Sequence, residues 1–90
     1  MWKYKLITDA AGETVSNHPC IVKKIILYYA GTTTAVIYNS TGTATKRVWT
    51  LTSSGTIPRD EIDFGIQGAD FLEGCYVTWT AGEILVVYKD

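Results

Sequence analysis

The chain has 90 residues, of which 47% are hydrophobic and 19% charged, and its formal net charge is −1. That length holds a single domain, and the hydrophobic content excludes intrinsic disorder. The near-neutral charge leaves no electrostatic footprint for a nucleic-acid backbone, and no segment approaches the ~18 consecutive apolar residues of a membrane span.

The first residues, Met1-Trp2-Lys3-Tyr4-Lys5-Leu6-Ile7, alternate apolar and polar side chains. A secretory signal instead carries a continuous apolar run, so synthesis in a cytosol is expected. The alternation predicts a first strand with Trp2, Tyr4 and Leu6 on one side. Residues 8–13 are expected to form a loop and Glu13–Ser16 a short second strand. Asn17-His18-Pro19 ends it, because Pro19 lacks an amide donor and holds its predecessor extended. Cys20–Tyr29 is the longest apolar run. Its β-branched content favours a strand, with a bulge where the Lys23-Lys24 doublet breaks alternation.

Ala30-Gly31-Thr32 predicts a turn, Thr33–Tyr38 a strand, and Asn39–Thr43 another turn. Thr45–Thr52 alternates, with Arg47, Trp49 and Leu51 sharing a face. After a loop through Asp60, Glu61–Ile66 predicts a strand with Ile62, Phe64 and Ile66 on one side. Gln67–Gly74 reads as irregular. Cys75–Thr80 and Ile84–Tyr88, separated by Ala81-Gly82-Glu83, read as a hairpin. Seven to eight short strands with turns every 8–12 residues predict an all-β fold: a small antiparallel β-sandwich of jelly-roll type, spanning 1–90 as one domain.

Chemistry-bearing residues are sparse. Asp60-Glu61-Ile62-Asp63 is the one carboxylate cluster. Paired carboxylates serve glycoside hydrolysis only when they flank a bond, and here a solvated strand face is expected. His18 and Cys20 lie two apart across Pro19, a spacing that sets no hydrogen-bond reach between a base and a nucleophile. Cys20 and Cys75 are expected to be buried, reduced thiols, and no spacing suits zinc. Gly65, Gly68 and Gly74 lack the strand–glycine–helix context of a phosphate loop and are expected to supply positive φ in turns. No catalytic residue, cofactor or metal site is therefore expected.

Trp2, Trp49 and Trp79 are weighed as a sugar-stacking platform, which keeps a carbohydrate-binding or receptor-binding module as the alternative function. Core and interface packing is the stronger expectation for them. A domain this small gains only ~3–5 kcal/mol from its own core, so oligomer formation is an expected supplement. Trp2, Tyr4 and Leu6 are the expected interface, because a terminal segment is poorly ordered unless tied down. Residues 1–8 are thus expected to touch another copy or a larger shell.

Several stretches taken in order carry a resemblance. They are Met1-Trp2-Lys3-Tyr4, Pro19 to Ile25, Ile37 to Thr43, Ile62-Asp63-Phe64-Gly65, Phe71 to Val77, and the closing Ile84-Leu85-Val86-Val87-Tyr88. In rhythm the chain resembles the short virion structural proteins of tailed bacteriophages, of the capsid decoration (cement) or head-fibre kind. The resemblance implies a compact sandwich without catalysis. It also implies a homotrimer that binds the major capsid protein on the capsid surface of a virion, after synthesis in the host cytoplasm.

Overall fold

A computed structural model describes residues 1–8 and 12–90. Of the expected loop at 8–13, residues 9–11 lie outside the described residues, while Gly12 and Glu13 belong to the second strand, where they pair with Thr78 and Val77. Nine strand segments are present and no helix occurs among the described residues. They are β1 (Lys3–Ile7), β2 (Gly12–Ser16), β3 (Cys20–Tyr28), β4 (Thr33–Tyr38), β5 (Arg47–Ser53), β6 (Arg59–Asp63), β7 (Ala69–Phe71), β8 (Cys75–Thr78) and β9 (Glu83–Lys89).

The segments form two antiparallel sheets. One has the order β1-β9-β3-β6, with β7 also on β3; the other has the order β2-β8-β4-β5. β6 pairs with Lys24–Tyr28 and β7 with Cys20–Val22, so the two share one edge position along β3. Counted that way there are eight positions. Successive strands cross between sheets except at the β4–β5 hairpin, which is the strand order of a jelly roll.

Alternation explains why these residues pack as they do. Ile25, Leu27, Ile84, Val86 and Val22 turn inward from the first sheet, and Ala35, Ile37, Leu51, Cys75 and Val77 from the second. Phe71, 1% exposed, fills the core from the three-residue β7 and meets Phe64 edge-on at 6.1 Å. The expected bulge is present, as the β3–β9 register slips between Val22 and Lys24.

Four expectations need correction. β8 and β9 are not a hairpin, because they lie in opposite sheets and their inward rows face each other across the core. Gly82, at φ 91, turns the chain over the end of the sandwich, and the Trp79 indole N–H donates to the Gly82 carbonyl at 3.1 Å. β6 begins at Arg59 and ends at Asp63, two residues earlier than expected at its start and three at its end. Ile66 therefore shares no strand face with Ile62; it sits 87% exposed on a turn set by Gly65 (φ 92) and Gly68 (φ 79). β5 starts at Arg47, because Lys46 adopts φ 60, a conformation that strands do not use. The irregular 67–74 stretch contains β7.

Candidate functional surface

The outer face of the first sheet carries an apolar layer separate from the core. Cross-strand register places Leu6 beside Leu85, Leu85 beside Ile26, and Ile26 beside Glu61. The next row is Tyr4, Val87, Lys24 and Asp63. Ile26 and Val87 are 6% and 7% exposed yet lie outside the central core cluster. Their register neighbours on that face include Tyr4 beside Val87 and Leu85 beside Ile26. Tyr4 and Leu6, at the β1 end of each row, remain 73% and 55% exposed. A shallow groove of about 360 Å³ runs between Tyr4, Ile26, Leu85, Val87 and the Lys24–Asp63 pair.

The other end of each row is charged. Glu61 sits 2.9 Å from Lys24 and 2.8 Å from Arg59, which holds its carboxyl below its ordinary value. Asp63 accepts the Gly65 amide at 2.8 Å, and Asp60 accepts the amides of Thr52 and Glu61. The carboxylate cluster is thus engaged in ion pairs and turn hydrogen bonds. Face composition grades from apolar at β1 to charged at β6.

Of the expected interface residues, the structure brings Tyr4 and Leu6 together on this face. Trp2 behaves differently. It is half-buried, with the Lys89 ammonium 4.8 Å and the Lys23 ammonium 5.5 Å from its ring centroid. Its Cη2 atom also lies 3.2 Å from where a Cβ on Gly68 would stand. The indole therefore lies across the sheet towards β7 and fastens the N-terminal strand. Sequence reasoning missed Leu85, Val87 and Ile26 as residues of the outer face, since all three resemble ordinary core. The signal was there: in Ile84-Leu85-Val86-Val87 every position is apolar, and a strand with two apolar faces has two surfaces to cover.

The remaining tryptophans are placed unlike one another. Trp79 is 3% exposed with its N–H satisfied, whereas Trp49, opposite Ile37, is 49% exposed. His18 does not face Cys20. Its Nε2 lies 3.4 Å from Asp90, whose other oxygen bonds Lys3 at 2.6 Å. Cys20 and Cys75 are free and buried, and burial pushes both thiols above their ordinary value. A polar cleft of about 540 Å³ opens beside this end, between Thr14, Asn17, His18, Thr41 and Asp90. Among the described residues, no group of three or more His, Cys, Asp or Glu side chains is arranged to hold a metal ion.

The other sheet presents a contrasting outer face. Register places Thr34 beside Thr52, and Val36 between Thr50 and Thr78. Tyr38 and Tyr76 stand side by side with ring centroids 6.0 Å apart. This face is hydroxyl-rich, so the greasy outer surface belongs to the β1–β9–β3 sheet.

Comparison with known protein families, curated protein sequences and solved structures gives no match.

Proposed function

We propose that this chain is a non-enzymatic virion structural protein, a homo-oligomeric capsid decoration subunit that binds the major capsid protein and stabilises the particle. The observation that carries the reading is the outer face built from Tyr4, Leu6, Leu85, Val87 and Ile26. It buries apolar side chains outside the core and still leaves two large ones open. An apolar patch maintained on the surface of a small soluble-type sandwich serves association. The resemblance of the sequence rhythm to that of phage decoration proteins is what suggests a shell as partner, and the jelly-roll strand order suits a virion component. Several weak contacts on one oligomer then act at high effective concentration on a repetitive lattice.

The chain is expected to co-sediment with purified capsids of the phage that encodes it and to raise the temperature at which they release DNA. A chain that stays monomeric by light scattering and leaves capsids unbound would sink the proposal. The carbohydrate-binding reading ranks second, because of the three tryptophans only Trp49 is exposed, Trp2 being half-buried beneath two lysines and Trp79 buried.

A further inference from the structure

The four sheet edges are closed to different degrees. β6 and β7 form a broken edge, interrupted by the turn between Asp63 and Ala69. On β5 the Thr52 amide is taken by Asp60 Oδ2 at 3.0 Å, and register slips against β4 between Ile37 and Tyr38. β2 slips against β8 between Thr14 and Ser16. β1 differs from all three. It pairs with β9 over its five residues without a slip, and no described strand pairs with its other side.

A regular, unpaired edge is a template for another strand, and proteins commonly guard such edges with free lysines. The lysines of β1 are already engaged. Lys3 bonds Asp90 at 2.6 Å and Lys5 bonds Glu13 at 2.9 Å, so both charges are matched within the chain. Tyr4 and Leu6 occupy the alternate, outer face and are open.

We infer that β1 pairs antiparallel with β1 of a second copy of this chain, about a two-fold axis at Lys5. Pleating lets only same-face residues stand opposite one another. An axis at Lys5 therefore sets Tyr4 opposite Leu6 of the second copy, and the row from Val87 through Tyr4 continues into Leu6 and Leu85 beyond the junction. The two Lys5 side chains meet on the other face, each neutralised by its own Glu13. The contact is isologous, so one strand satisfies both sides, and a net charge of −1 per copy opposes it little. The occupant is a second copy because Tyr4 and Leu6 complement each other under that axis. A five-residue edge falls short of the ~1,200 Å² that stable interfaces bury, so the pair forms weakly and with rising concentration. It gives a two-fold unit in place of the trimer that the resemblance implies. The inference rests on the assembly reading above and names its contact.

Sedimentation velocity of the full chain across a concentration series tests it, with Tyr4→Lys/Leu6→Lys as the variant. Both side chains are exposed, so far-UV circular dichroism should be unchanged while self-association weakens by about tenfold or more. In a second arm, Tyr4→Cys mixed with Leu6→Cys should form a disulfide-linked dimer faster than either alone. Unchanged association in the double variant, or Tyr4→Cys linking to itself as readily as to Leu6→Cys, would overturn the pairing. If the double variant still associates and still binds capsids, the β1 contact fails while the assembly reading survives. A wild-type monomer at every concentration that also ignores capsids removes both.

Discussion

Lys5 Nζ lies 2.9 Å from Glu13 Oε2, which ties the first strand of one sheet to the first strand of the other across the open flank of the sandwich. Both side chains keep over a third of their surface in water. Solvent screening limits such a pair to ~0–1 kcal/mol. Glu13→Gln should therefore lower stability in urea titrations by no more than about 1 kcal/mol. Its effect on self-association should be larger, because two unmatched Lys5 charges would then meet across the two-fold axis. Restoring the balance with Lys5→Gln in the same chain should recover the association, as read by sedimentation.

Acid should act through Glu61 and Asp90. The Lys24 hydrogen bond holds the Glu61 carboxyl below its ordinary value of 4.5, and the Lys3 hydrogen bond holds Asp90 below 3.8. A depressed carboxyl contributes stability above its unfolded pKa and loses it as pH falls through the folded one. The melting temperature should thus stay level above those ordinary values and drop as the pH falls below them. The Lys3 and Lys24 ammonium groups are held above their ordinary value of 10.5 by the same partners, so their contribution is complete below that pH and lost on going well above it. Glu61→Gln should flatten the acid limb of a melting-temperature profile; an unchanged profile would show that the pair has no linkage to folding.

Phe71 is 1% exposed and reaches the core from a strand of only three residues. Truncating a buried phenylalanine costs ~3–5 kcal/mol, comparable to the whole stability of a domain this small. Phe71→Ala should be largely unfolded at 25 °C by near-ultraviolet circular dichroism. Phe71→Leu, which keeps most of the volume, should fold with a lowered melting temperature.

Cys20 and Cys75 are buried, and desolvation disfavours both thiolates. The thiolate is the reactive form. The native chain at neutral pH should consume almost no Ellman reagent over minutes, then two equivalents once denatured. Rapid labelling of the native state at either cysteine would contradict the packing around it.

Gly74 holds φ 151, and a Cβ there would stand 2.5 Å from the Ser16 carbonyl oxygen and 2.9 Å from that of Ser40. Both obstacles are backbone. Gly74→Ala should destabilise by about 1–3 kcal/mol, the usual range for strain at such positions, as measured by urea midpoint. Gly55→Ala has open space around it and should change little.

Much of the fold was readable because alternation reports burial directly. Thr33–Tyr38 matches β4 residue for residue, and the Lys23-Lys24 doublet marked a real register slip. Alternation does not report which sheet a strand joins. Cys75–Thr78 and Glu83–Lys89 have inward rows of the kind that a hairpin or a pair of facing strands would show, and only the turn geometry at Gly82 decides between them. β7 was missed for a related reason. Ala69-Asp70-Phe71 is too short to display a period, and it is a strand because β3 runs past the end of β6 and offers a partner. On the candidate surface, Tyr4 and Leu6 were legible from their place in an N-terminal alternation. Leu85, Val87 and Ile26 were not, since their hydropathy is that of core and only cross-strand register puts them outside.

The register Lys3 with Tyr88 makes the opening and closing strands immediate neighbours, with β9 lying between β1 and β3. Among the described strands β9 alone pairs with β1, so β1 has no sheet to join until β9 is in place. The same closeness of Lys3 and Asp90 permits the two ends to be joined by a short linker and the chain to be reopened elsewhere, for instance at Gly55, yielding a circular permutant in which β9 precedes β1.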